Sequence, residues 1–468
     1  MPPSTESPQR RALPTLNLDG TRQRVRPKLF VGVIYRRRLV VAWGLLTLFV
    51  ALPWLRVGGL PAVLLDVAQR RFTFFGRTFL ATDGVLLMLA LLATFVSIIA
   101  VTAVWGRAFC GWACPQTVYL EFVFRPIERL FEGDRNAQLR RDRDGGGVRR
   151  VAKNLTFGLL SVVVANVFLS YFVGTDTVLA WVTRSPSQHL PGFLVMSVTA
   201  VLVFADFAFF REQMCTVACP YARLQSVLLD RESTVVAYDA KRGEPRKKGK
   251  PVPGGGDCID CGACVVACPT GIDIRDGLQI ECIACGQCTD ACNTIMPKIG
   301  KPLHLIRSTS ATELEGKKNR TWRPRVVAYT SLVALLLGAL FVAARNPGEF
   351  DVTVLRGIGA PFALQQGKVR NQLRIKVANR GHDAAQFSIE VQPTDAHFQS
   401  NLSVIAAENP LVVAGGASRT TSVFTVSELG DFTDGELPVI VRVSRLAPHV
   451  VHASAYKLLG PSAAGERR

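Results

Sequence analysis

Five stretches of the chain run apolar with almost no charge: Leu39–Leu55, Gly84–Gly106, Leu155–Thr175, Leu190–Phe210 and Val326–Ala344. Each approaches the roughly 20 residues that a helix needs to cross a bilayer, so the pattern predicts five membrane spans. The first is the shortest and holds Pro53. The fourth carries Asp206 near its end, read as a carboxylate at the interface. Beyond Arg345 the pattern changes to alternation: Leu373, Ile375 and Val377, then Phe387, Ile389 and Val391, then Val439, Val441 and Val443 alternate with polar neighbours. A period of two broken by Gly, Pro and Asn turns predicts an all-β sandwich of immunoglobulin size. The fold class is therefore a multi-domain integral membrane protein with an α-helical bundle of five spans and a C-terminal immunoglobulin-like β-sandwich.

Charge orients this arrangement. The 468 residues have a mean hydropathy of +0.23 and a formal net charge of +19. Lys and Arg number 9 before the first span, 10 between the second and third, and 18 between the fourth and fifth, against 4 and 1 in the alternate loops. This asymmetry is the positive-inside pattern. It predicts a cytoplasmic amino terminus and central loop, a periplasmic carboxy-terminal segment, and a multi-pass protein of a bacterial inner membrane. Arg36, Arg37 and Arg38 are expected to face anionic headgroups. No basic stripe is interleaved with aromatics, so nucleic acid is not an expected partner. Residues 1–28 are polar and Pro-rich and predict disorder. No small-residue cleavage site follows the first apolar run, so the first span is expected to be retained.

The chemistry lies in the 12 cysteines, none of which falls beyond Arg345, so a disulfide framework is not their purpose. Eight form two runs, Cys258-x-x-Cys261-x-x-Cys264-x-x-x-Cys268-Pro269 and Cys282-x-x-Cys285-x-x-Cys288-x-x-x-Cys292-Asn293. Three thiolates on one loop can hold three corners of an iron-sulfur cube while the fourth comes from the other run. That rule groups Cys258, Cys261 and Cys264 with Cys292, and Cys282, Cys285 and Cys288 with Cys268. Zinc ribbons also use C-x-x-C, but their knuckles come in pairs and not in interlocked fours.

The remaining four cysteines repeat one signature, Arg107-Ala-Phe-Cys110-Gly-Trp-Ala-Cys114-Pro115 and Arg211-Glu-Gln-Met-Cys215-Thr-Val-Ala-Cys219-Pro220. Each closes a pair of spans, which predicts a duplicated two-helix unit. On a continuous helix each pair would point to one face, with proline ending the helix there. Soft sulfur ligands suit cuprous copper, zinc or an iron-sulfur cluster; buried small hydrophobes are the alternative. Met214 is read as apolar filler. Along the chain this gives an N-terminal cytoplasmic segment (1–38), a four-helix membrane domain (39–220), a basic linker (221–256), a dicluster ferredoxin module (257–306), the fifth span (326–344) and the β domain (345–468). Among the motifs there is no hydrolytic triad and no nucleotide fingerprint.

Phe109-Cys-Gly-Trp-Ala-Cys-Pro-Gln-Thr-Val118, Ala218-Cys-Pro-Tyr-Ala-Arg223, Tyr238-Asp-Ala-Lys-Arg-Gly-Glu-Pro245 and Cys264-Val-Val-Ala-Cys-Pro-Thr-Gly-Ile-Asp273 resemble the CcoG/FixG/RdxA family, accessory factors for assembly of cbb3-type cytochrome c oxidase. The resemblance implies two 4Fe-4S clusters, a membrane site at Cys110, Cys114, Cys215 and Cys219 that binds copper and reduces Cu(II) to Cu(I), and oxidase assembly factors or subunits as partners. Relatives commonly carry a histidine at the start of the third span, where this chain has Asn154. The expected function is a membrane-bound iron-sulfur cupric reductase, with electrons entering from a cytoplasmic or quinol donor. Two alternatives remain open: a subunit of a quinol-linked respiratory complex whose membrane cysteines hold a further cluster, and a non-catalytic scaffold or metallochaperone.

Overall fold

The computed structural model describes residues 24–461 apart from breaks at 69–70, 81–83, 146, 250–253, 346–348, 382, 395–401 and 448. The chain divides into two compact units, residues 1–340 and 341–468. The disorder expected of the amino terminus lies, over residues 1–23, outside the described residues. From Arg24 to Lys28 the chain is held: Arg26 is buried and Lys28 donates its backbone N–H to the Val266 carbonyl at 2.9 Å.

Five helices in the described residues are long and apolar enough to cross a membrane: Val33–Trp54, Gly84–Trp105, Gly147–Val173, Pro186–Phe210 and Pro324–Arg345. The first and third begin well before their apolar runs, because the basic turns that precede those runs continue the helix, each with one buried cation, Arg38 and Lys153, among mostly exposed neighbours. Arg38 is buried in the first span, donating Nε–H to the Gly111 carbonyl at 2.9 Å with its guanidinium 5.3 Å from the centroid of the Phe122 ring. This corrects the reading of Arg38 as a headgroup contact; Arg36 and Arg37 remain exposed. The first span lacks a capping side chain of its own. Asp290 supplies one from the second cysteine run, accepting the N–H groups of Ile34 (3.2 Å) and Tyr35 (2.7 Å).

The helix geometry expected of the C-x-x-x-C pairs also needs correction. A short helix, Ala108–Trp112, carries Cys110 but stops before Cys114, which is extended and caps a new helix opened by Pro115. In the second copy Cys215 lies in a π-helical turn (Met214–Ala218), and Cys219 is again extended before the helix Pro220–Leu228. Proline at the first helical position costs no hydrogen bond, so it starts a helix as readily as it ends one. The two repeats share this break.

The ferredoxin module is not loosely tethered. Strands Val235–Tyr238 and Ile306–Thr309, from either side of it, pair antiparallel. The basic linker is pinned by Arg242, which donates to Asp257 at 2.6 Å and to the Pro302 and Leu303 carbonyls. Arg323, ahead of the fifth span, pairs with Asp230 at 2.9 Å and donates to the Ala103 carbonyl at 2.6 Å. Between the first two spans lies a small antiparallel sheet, Val63–Asp66, Arg71–Phe74 and Arg77–Leu80, which periodicity did not announce.

The second unit is a β-sandwich. One sheet orders strands Ser403–Ala406, Ser418–Glu428, Lys368–Asn379 and Phe350–Arg356, with Ala363–Gln365 added to the third; the other orders Leu411–Val413, Ala385–Pro393, Glu436–Arg445 and Val450–Leu459. The alternating residues of the sequence form its core, with Ile375, Val377, Phe387, Val439, Val441 and Val443 all fully buried. Each such apolar side chain stabilises the fold by roughly 1.5–3 kcal/mol.

Candidate metal and electron-transfer centre

The two cysteine runs fold alike. In each, the residue before the second cysteine takes a left-handed conformation (Asp260, φ 50°; Ala284, φ 52°), as does the glycine after it (Gly262, φ 67°; Gly286, φ 72°). A short helix follows, Ala263–Ala267 or Gln287–Ile295. Left-handed backbone at a non-glycine residue such as Ala284 costs roughly 1–2 kcal/mol, and strain of this kind gathers at functional loops. The thiols form two mixed groups. Cys292 has Cys258 and Cys261 as electrostatic neighbours, and Cys264 has Cys292 and Cys261. Cys288 neighbours Cys285, Cys282 and Cys268, with Cys264 beyond. A cavity in this second group is lined by Cys264, Cys268, Cys282, Cys285 and Cys288.

All twelve thiols are free. Burial pushes Cys282 and Cys264 up to about 12 and Cys285 and Cys292 up to about 11, so loading with metal must displace protons. Among the described residues no three His, Cys, Asp or Glu side chains converge as one metal ion requires. The four ligands of a cube bind four different irons and stand farther apart than ligands of a single ion, so eight soft thiols in two cross-run groups fit iron-sulfur clusters.

The four remaining cysteines meet where the repeats close. Cys110 has Cys114 and Cys219 as neighbours; Cys215 has Cys114, Cys110 and Cys219, and the Asp206 carboxylate beyond them. Burial is the main cause that pushes Cys110 up to about 11 and Cys215 up to about 12. Cys110 donates to Gln225 Oε1 at 2.9 Å, and Gln225, 0 % exposed, donates in turn to the Tyr221 hydroxyl (2.7 Å) and Thr102 Oγ1 (3.2 Å). Asp206 is not a bare interfacial carboxylate, since Gln116 donates to it at 3.1 Å.

The two centres touch. Cys110, Ile283 and Cys285 form one buried cluster with Cys215 and Tyr221 packed on it. Gly111 permits this contact: a Cβ there would lie 2.5 Å from the Ile283 carbonyl oxygen and 2.8 Å from Cys285 Cα. Gln225, Gly111, Arg38 and Arg107 escaped sequence reading. Gly111 and Arg107 had the signal of lying inside a cysteine motif and Gln225 of lying just after one, while Arg38 in the first span had none, since nothing in residue type announces a partner far along the chain.

A buried ion network ties the repeats together beside this centre. Glu128, from the helix Arg125–Glu132, accepts two bonds from Arg211 (2.8 and 2.9 Å) and one from Arg26, with Lys153 3.6 Å away. Burial alone would raise the Glu128 carboxyl, but Arg211, Arg26 and Lys153 hold it well below the usual carboxylate range.

Comparison with known proteins gives three family profiles. One described as a 4Fe-4S dicluster domain matches residues 210–311, one described as a 4Fe-4S binding domain matches residues 87–133, and one described as the IG-like fold at the C-terminus of FixG matches residues 340–461. Protein RdxB of Cereibacter sphaeroides is 37 % identical over 406 residues, covering 81 % of this chain and 83 % of the relative. Protein RdxA of the same organism is 37 % identical, covering 75 % and 78 %. Nitrogen fixation protein FixG of Rhizobium meliloti is 31 % identical, covering 79 % of each.

Proposed function

The chain belongs to the FixG/RdxA family and is an iron-sulfur electron-transfer protein of the membrane, and from that premise we propose that it reduces Cu(II) to Cu(I) for assembly of a cbb3-type cytochrome oxidase. One 4Fe-4S cluster is assigned to Cys258, Cys261, Cys264 and Cys292, the other to Cys268, Cys282, Cys285 and Cys288. When bound, such clusters supply electrons one at a time. Copper is the substrate and Cys110, Cys114, Cys215 and Cys219 are its proposed ligands; no three of them converge in the structure, so an arriving ion must draw them together or use two of them, as low-coordinate Cu(I) accepts.

One observation carries this reading: four soft thiols from a duplicated motif neighbour one another, and two of them, Cys110 and Cys215, pack with Cys285 of the ferredoxin module. A Cu(II) ion arriving there takes one electron and leaves as Cu(I). Thiolates favour the cuprous product, because soft Cu(I) accepts low-coordinate sulfur ligation. Gln225 accepts the Cys110 S–H in the metal-free site and fixes that side chain in place. The charge asymmetry supports a ferredoxin module on the cytoplasmic side and a β domain on the periplasmic side, where oxidase subunits or assembly factors would be met.

A second reading has its own support. The 4Fe-4S binding profile spans Cys110 and Cys114, which favours a further cluster at the membrane thiols of a quinol-linked electron-transfer subunit. Single serine substitutions at Cys110, Cys114, Cys215 or Cys219 separate the two. The copper reading expects full iron content, about eight irons for two cubes, with loss of Cu(II) reduction by the anaerobically reduced protein; loss of iron would give the site to a cluster.

A further inference from the structure

Arg38 and Arg107 approach the module from the membrane side. Both are buried, at 0 % and 3 % exposed. Arg38 spends Nε on the Gly111 carbonyl and Arg107 spends Nη2 on the Ala222 carbonyl at 2.7 Å. Both Nη atoms of Arg38 have no hydrogen-bond partner among the described residues, Nε and Nη1 of Arg107 face no nitrogen or oxygen partner there although this guanidinium also meets the Cys110 thiol, and neither guanidinium is paired with a carboxylate. A buried guanidinium with idle donors is costly unless an anion meets it. The groups within reach are thiols that become thiolates once metal is loaded: Cys285 for Arg38, and Cys110 followed by Cys282 for Arg107. Glu121 also reaches Cys285, but its carboxylate is taken by Arg125.

The other cysteine group is surrounded differently. Arg275 is its nearest cation, and it is paired with Asp273 and Asp260. Arg242, near Cys292, is paired with Asp257. Cys261 of that group is exposed. One group therefore has uncompensated buried positive charge, and the other has neutralised pairs and water.

We propose that Arg38 and Arg107 are positioning residues that aim their free N–H groups at the centre held by Cys268, Cys282, Cys285 and Cys288, and make it the higher-potential of the two clusters. Reduction adds one negative charge to a cluster, so uncompensated cations and N–H donors favour the reduced form and raise the potential. One electron received at the exposed group thus runs downhill to the group that touches Cys110. The inference rests on the ligand assignment above but not on copper being the acceptor.

The test is an anaerobic redox titration of the full-length protein in detergent, followed by electron paramagnetic resonance with no copper present. Arg38→Gln and Arg107→Gln should each lower the midpoint of one cluster only, by about tenfold in its oxidised-to-reduced ratio, about 59 mV for one electron. Arg38→Lys should restore most of it, and Arg36→Gln at the exposed neighbour should change nothing. An unchanged midpoint at full iron content, or an equal shift of both clusters, overturns the proposal. Should the Gln variants fail to fold, Cys258→Ser decides on an otherwise unaltered interior: the surviving cluster must titrate at the higher of the two wild-type potentials, and survival at the lower one overturns the assignment. Cu(II) reduction is assayed separately, so its failure would leave this result standing.

Discussion

Glu128 joins three separate parts of the chain through one buried carboxylate. It takes two bonds from Arg211 of the second repeat, one from Arg26 of the amino-terminal segment, and lies beside Lys153 of the third span. Arg211 itself sits at φ 54°, a conformation that non-glycine residues rarely hold without compensation. Glu128→Gln leaves three cations without their shared counter-charge and should cost about 3–5 kcal/mol, read as a lower unfolding temperature in detergent at unchanged iron content. The pH dependence follows from the direction of the shift. A carboxyl depressed in the folded state contributes stability that is fully present above its unfolded value of about 4.3 and is lost as pH falls below it. Wild-type protein should therefore lose thermal stability on acidification below about pH 4 more steeply than Glu128→Gln does.

Gly111 decides how closely two elements meet. The helix Ala108–Trp112 lies against the Ile283–Cys285 loop only because no Cβ intervenes. Both atoms such a Cβ would strike are backbone, which yields less readily than a side chain. Gly111→Ala should cost roughly 1–3 kcal/mol through overpacking. It should also slow single-turnover Cu(II) reduction while leaving copper binding and iron content at wild-type levels. At this scale the sequence was most readable where information is local: cysteine spacing, the paired motifs, apolar runs and strand alternation all depend on neighbours a few residues apart. It was least readable where a partner lies far along the chain. The Arg38 contact to Gly111 spans 73 residues and the Gln225 contact to Cys110 spans 115, and no periodicity encodes either. The break at Cys114 was missed for another reason, since proline was read as a stop when it also serves as a start.

At the scale of the whole molecule, loop charge bears on orientation. Counts of 9, 10 and 18 Lys and Arg on one set of loops against 4 and 1 on the other are the basis for proposing that the ferredoxin module faces the cytoplasm. An alkaline phosphatase fusion after Arg345 should be active, and one at Lys241 inactive; the opposite result would reverse the direction of electron delivery.

Asp290 ties the membrane domain to the second cysteine run and to the order of synthesis. The helix it caps is made first, and its cap arrives 256 residues later. Until then the Ile34 and Tyr35 amides must bond to water or headgroups. Asp290 stands between Cys288 and Cys292, so the first span is capped only once the second cysteine run has been made and folded against it. A chain truncated anywhere before Asp290 therefore leaves this helix start without the carboxylate that closes it in the finished fold.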